Sequence, residues 1–164
     1  MKTERFFNIF YIFLLSVFLQ AYPHKTHGEG PGTGDVREPV LAGTWYPGSK
    51  GPLKQSIEAY LSKVKLGHAA ADIKGIIVPH AGHKYSGQVA AYAYKQLETV
   101  DIDRVVMIGP SHRFGFRGVS VNLQHAYKTP LGTVPVDRDF AEKLIKANDY
   151  IRYVPQAHSR EHSL

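Results

Sequence analysis

Apolar positions along the chain recur with three distinct spacings, and each spacing predicts a different element. Gly75–Val78 and Val105–Ile108 are nearly continuous apolar runs, the pattern of strands covered on both faces. Each run ends in a Pro or Gly-Pro break that delivers one histidine, His80 and His112. Helical spacing appears before them at Leu53, Ile57, Tyr60, Leu61 and Val64, with Pro52 suited to a first helical turn. It appears again between them over Ser86–Leu97, with Ser86 as the expected N-cap and Val89, Ala93 and Leu97 as the expected inner face. Val119, Val121 and Leu123 alternate, which predicts a half-buried strand. A turn is expected at Pro130–Gly132, and Asp137 is placed to cap a helix with Phe140, Ala141 and Leu144 inward. The central strand–helix–strand unit has the length of a right-handed crossover, so both strands run parallel and end at one edge of the sheet. His80 and His112 are therefore expected as neighbours if their strands are adjacent or one apart. The predicted fold class is α/β, a mostly parallel sheet with helices on both faces.

The first 21 residues carry a different pattern. Lys2 and Arg5 precede an apolar run from Phe6 to Leu19, and Ala21 is a small residue where cleavage is possible. The run is short against the ~20 residues of a transmembrane span. A signal peptide is the first reading, an uncleaved N-terminal anchor the second, and a mis-assigned start codon a third. The chain is accordingly expected to be exported or membrane-anchored if this segment is genuine and cytoplasmic otherwise. Residues 22–36 are Gly-rich and polar and read as a flexible linker, with His24 and His27 solvated in it. The α/β domain is expected from 37 to 164, and the terminal AHSREHSL reads as interrupted.

Composition adds two constraints. With 43% hydrophobic and 21% charged residues the chain is an ordinary globular one, and its net charge of +6 is scattered rather than gathered into a stripe, so no nucleic-acid partner is expected. Cys is absent, which removes disulfides, thiolate metal sites and a Cys nucleophile from these residues, whereas nine His are many for this length. Two imidazoles at equivalent strand exits have three readings: metal ligands, an acid–base pair, or structural loop residues. A metal would need a third donor, for which His162 and Glu161 are the candidates at hand. His83, Tyr85 and Ser111 are further candidates for the pocket, each with a local structural reading beside it. Neither a P-loop, a GxGxxG before a helix, nor a GxSxG elbow is present, which disfavours nucleotide binding and serine hydrolysis.

The segments AGTWYP, PHAGHKYSG, GPSH, TPLG and EHSL, in this order over Arg37–Leu164, resemble the MEMO family, whose prokaryotic branch is called AmmeMemoRadiSam system protein B. The resemblance implies a fold like that of class III extradiol dioxygenases, and His80 and His112 as the two histidines of the family's metal pocket. It further implies Fe(II) as the first choice of metal, with Cu or Zn as alternatives. His162 lies in a family motif without an assigned ligand role. Family chains are considerably longer, and the remaining pocket residues, a cysteine ligand and another histidine among them, belong to a C-terminal half that these residues do not include. The chain is thus read as a fragment. It departs from the family pattern at His83, where PHAGY is usual, and in its hydrophobic N-terminus, the family being generally cytosolic. Two functions are expected as competitors: a non-haem metal-dependent oxidoreductase of dioxygenase ancestry, and a non-catalytic module that keeps the pocket and binds a peptide or small molecule.

Overall fold

The computed structural model describes residues 35–67 and 73–163. The expectations for the N-terminal segment and for His24 and His27 lie outside them. Among the described residues no helix is long and apolar enough to cross a membrane. The architecture is α/β: strands β1 (Val36–Arg37), β2 (Val119–Ser120), β3 (Ala126–Thr129), β4 (Gly132–Pro135) and β5 (Ile151–Arg152) with helices α1 (Lys50–Leu61), α2 (His83–Tyr94), α3 (Arg138–Ala147) and α4 (Pro155–Ser159). They form two small sheets, in which β1 pairs parallel with β3, β3 antiparallel with β4, and β2 parallel with β5.

The core is built by α1 on α2. Leu53, Ile57 and Leu61 of α1 are buried, as is Val64 beyond it, in keeping with their helical spacing. The facing side of α2 is made of Ser86, Gly87, Ala90, Ala91 and Tyr94, continued by Leu97 in a 3₁₀ turn. Small residues there let the helices approach closely. A Cβ on Gly87 would stand 2.7 Å from the Tyr60 ring, and Gln88 Nε2 donates to the Tyr60 carbonyl at 3.1 Å.

That close approach overturns two expectations. Val89 is not on the inner face but 62% exposed, because the bulky residue is turned out where glycine and alanine are needed within. Ser86 is not the N-cap either. The helix starts at His83 with Gly82 as its cap residue, and Ser86 Oγ donates back to the Ala81 carbonyl at 2.7 Å. Ile73–Val78 and Arg104–Gly109 have no assigned ladder among the described residues, so the mostly parallel sheet expected from them is replaced by the small mixed pairings above. Ile76 and Val78 are nevertheless buried in the core beside α1 and α2.

The C-terminal part follows the pattern more closely. β3 and β4 form a hairpin around the turn expected at Pro130–Gly132, with Gly132 at φ 151°. Asp137 caps α3, its carboxylate accepting from the Phe140 N–H at 2.9 Å. Val119, expected inward, is 51% exposed. Its strand is placed by Gly118, whose φ of 92° and 2.2 Å from an ideal Cβ to the Tyr150 carbonyl oxygen leave room for glycine alone.

A histidine pair oriented by a buried glutamate

His80 and His112 follow the two apolar runs, and the fold brings them together although neither run is assigned to a ladder among the described residues. Their Nε2 atoms are 3.4 Å apart, with rings 5.1 Å between centroids and tilted by 59°. Both apolar runs are followed by their histidines through Pro79 or Gly109-Pro110, where proline removes a backbone donor.

What orients His112 is the short segment after α4. Glu161 is buried at 5% exposure. One carboxylate oxygen accepts from His112 Nδ1 at 2.7 Å, from the His162 N–H at 2.8 Å and from the Ser163 N–H at 2.9 Å, and the other accepts from the His112 N–H at 2.5 Å. Burial acts to raise the Glu161 pKa, but the hydrogen bonds from the His112 ring and from the backbones of His112, His162 and Ser163 outweigh it and hold the carboxyl at about 2. An ionised carboxylate only accepts, so His112 Nδ1 carries the proton. In the neutral ring the lone pair is then on Nε2, the atom that faces His80. The tail is held in turn by Arg37, itself buried, which donates through Nε to the His158 carbonyl at 3.0 Å and through its guanidinium to the Glu161 carbonyl. Ser163 Oγ donates to the Pro110 carbonyl at 2.7 Å, tying the tail to the break before His112.

His112, Glu161 and His162 each offer one donor atom within 4.8 Å of the others, a grouping that could hold a metal ion. The geometry separates their roles. Three N–H donors crowd one Glu161 oxygen and a fourth reaches the other, so most of the carboxylate's accepting capacity is spent on hydrogen bonds and one lone pair of the second oxygen is left over. The His162 ring stacks on His112 at 4.5 Å and 20°, so their in-plane lone pairs run side by side and do not converge. On its other side His162 meets Trp45 at 4.8 Å. Burial keeps His162 below the ordinary histidine range, with the Glu161 charge opposing and the His112, Arg113 and His80 charges reinforcing the shift. The Nε2 atoms of His80 and His112 face each other within hydrogen-bond reach, with donor and acceptor set by their tautomers.

The other candidates are not brought to this pair. His83 packs between Tyr46 and Tyr60, with ring centroids at 5.4 and 6.5 Å, and burial lowers its pKa. Tyr85 is 79% exposed on the outer side of α2. Ser111 Oγ donates to the Phe114 carbonyl at 2.7 Å, the local loop role. Trp45 stands 38% exposed against His162. It is fixed there because its carbonyl accepts from the His83 N–H at 2.9 Å, joining the Leu41–Tyr46 loop to the start of α2. An open cleft of about 380 Å³ lies alongside, lined by Trp45, Tyr46, Tyr60, His83 and Lys84 among others.

A family model described as "Memo-like protein" matches residues 37–164. Similar proteins include a "MEMO1 family protein" of Nitrosopumilus maritimus, 36% identical over 133 residues, which span 79% of this chain and 48% of that one. A "MEMO1 family protein" of Methanothermobacter thermautotrophicus is 38% identical over 136 residues, 78% of this chain and 49% of that protein. The "Protein MEMO1" of Xenopus laevis is 34% identical over 128 residues, 78% of this chain and 42% of that one. The chain therefore spans about half the length of these relatives. With the family model matched from Arg37 onward across the histidine pair and the residues that orient it, the chain belongs to the Memo family.

Proposed function

We propose that His80 and His112 are two ligands of a divalent first-row metal in an extradiol-dioxygenase-like pocket, with Fe(II) the first choice and Cu or Zn the alternatives. The observation that carries this is the 3.4 Å separation of the two Nε2 atoms, one of them oriented by Glu161. Two nitrogens bound at 2.0–2.1 Å to one ion lie about 3.3 Å apart at the tetrahedral angle and about 2.9 Å apart at a right angle. A carboxylate that accepts from the far nitrogen of a ligating imidazole fixes the tautomer and raises the basicity of the nitrogen facing the metal. The donor set therefore fits a metal that favours imidazole, with further ligands to come from elsewhere, since two do not complete a site. When bound, iron or copper would supply Lewis-acid and redox chemistry at its open positions. The chain's own contribution is to aim the His112 lone pair, to keep Glu161 ionised, and to wall one side of the pocket with the tilted His162–Trp45 ring contact.

The test is metal content of the anaerobically purified protein beside its His80→Ala/His112→Ala variant. Near-stoichiometric metal that is lost in the variant supports the assignment. A folded unmutated protein that takes up neither iron, copper nor zinc refutes it. A second reading, a non-catalytic module for a peptide or small molecule, is favoured by the exposed Trp45 at the mouth of the open cleft. Ligand binding that persists in metal-free protein would make that reading the better one.

A further inference from the structure

Ser120 lies outside the histidine site, yet its hydroxyl is tied to the element that leads there. It ends β2, which pairs parallel with β5 in the register Ser120–Arg152. Two residues after β5, Val154 is the N-cap residue of α4. Ser120 Oγ accepts from the Val154 N–H at 3.0 Å. The same oxygen stands 2.7 Å from Nε2 of His158, a buried ring within α4, in a hydrogen bond whose direction follows the His158 tautomer. One hydroxyl thus holds α4 at its N-cap and again four positions on.

α4 has little else to keep it in place. Its five residues fall well short of the about 12–15 at which an isolated helix becomes marginal. Of those five only Ala157 is both apolar and buried, so burial contributes little. Polar ties hold it instead. The His158 carbonyl accepts from Arg37 Nε at 3.0 Å and from the Glu161 N–H at 3.4 Å, so His158 is the point where α4 passes its position to Glu161. Glu161 in turn accepts the His112 Nδ1–H at 2.7 Å.

We infer that Ser120 is a positioning residue for His112, acting through His158 and Glu161. By anchoring α4 it keeps the Glu161 carboxylate where that group fixes the His112 tautomer. This role rests on the orientation of His112 used for the proposed metal site and requires no metal to be observed. A folded chain that takes up none refutes the metal reading and leaves the positioning of His112 to its own test. Loss of Oγ removes two ties at once, and an ordinary hydrogen bond shifts an equilibrium by about fivefold.

The experiment uses the full chain without metal, unmutated and as Ser120→Ala, Ser120→Thr and His158→Phe, at about pH 8.5, above the ordinary histidine range. Long-range ¹⁵N–¹H spectra read the His112 tautomer. Amide exchange is read at residues 158–163 and, as a control, at 53–61 and 86–94. The unmutated chain should hold His112 in the Nδ1–H form. In Ser120→Ala the Nε2–H share and the exchange at 158–163 should each rise by at least about fivefold, with the control helices unchanged. Ser120→Thr keeps the hydroxyl and should restore both. An unchanged His112 tautomer in Ser120→Ala with intact control helices overturns the inference. A Ser120→Thr variant that behaves like Ser120→Ala overturns it in favour of local packing. If Ser120→Ala loses protection in the control helices, His158→Phe, which removes the ring's hydrogen bond alone, decides by the same readouts. Protection lost there in both variants overturns the inference in favour of a role in the fold as a whole.

Discussion

Replacing Glu161 by Gln removes one charge and almost no volume, so it isolates what the carboxylate does for His112. The native oxygens receive four N–H donors, three on one oxygen and one, from the His112 N–H, on the other. A Gln side chain keeps one acceptor oxygen and sets an NH₂ in the other position. If its oxygen takes the threefold position, the NH₂ meets the His112 N–H donor to donor, across a gap of 2.5 Å in the native structure. One buried donor left unsatisfied costs about 1–3 kcal/mol of stability. The His112 Nδ1 proton keeps a neutral acceptor in place of an anionic one, which lowers the basicity of Nε2. Losses of this outer-shell type weaken metal affinity by about 10–100-fold, equivalent to about 1.4–2.7 kcal/mol. The assay is competition titration with Zn²⁺ or Co²⁺ against a chromophoric chelator, with His112→Ala as the reference for a lost ligand and long-range ¹⁵N–¹H spectra to read the tautomer. Affinity unchanged within about twofold, in a protein where His112→Ala abolishes binding, would refute the positioning role. Affinity abolished as completely as by His112→Ala would instead make Glu161 a ligand.

Other consequences follow from the packing. Gly87→Ala should destabilise by about 1 kcal/mol in denaturant titration, overpacking against Tyr60 outweighing the helix propensity gained. Gly51→Ala, with nothing within 4 Å of the new methyl, should be neutral or stabilising by up to about 1 kcal/mol. Ile57→Ala empties the most enclosed position of α1, at 0% exposure, and should cost about 2–5 kcal/mol by chemical denaturation. Asp137→Ala should cost about 1 kcal/mol through the lost cap of α3. The Asp137 carboxyl is held below its ordinary range although burial opposes this, because the Phe140 N–H and the Arg104 guanidinium favour the charged form. A group with a depressed native pKa stabilises above its unfolded value near 3.8 and loses that contribution as pH falls through the native value. The stability gap between wild type and Asp137→Ala should therefore close below about pH 4 in pH-dependent urea melts, and a gap that widens there would refute the assignment.

Local chemistry with few alternatives was readable from the residues. Asp137 caps its helix, Leu53, Ile57 and Leu61 face inward, and the breaks after the two apolar runs bring His80 and His112 together. Where the reading failed, bulk was taken as the guide to burial. In α2 the close approach of Tyr60 reverses that rule, placing Gly87 and Ala91 inside and Val89 outside. No local pattern announces the place of Trp45, since the ring it meets, His162, is 117 positions away. Glu161 stood in the sequence as a candidate ligand. Its orienting role is visible only in the fold, where four N–H groups donate to its carboxylate. The missing ladders at 73–78 and 104–109 have the same lesson in reverse, because strand-like composition states what a segment would bury and not whether a neighbour is present to bury it.

Arg37, the second residue of β1, grips the carbonyls of His158 and Glu161 across sequence separations of 121 and 124. His112 in turn waits on a glutamate 49 positions further along. During synthesis the two imidazoles are made early and the groups that aim one of them are made late. A nascent chain that has not yet released residue 161 therefore carries His112 with either nitrogen free to take the proton. Orientation of His112 therefore follows only once residue 161 has been made and the first strand has closed on the segment that carries it.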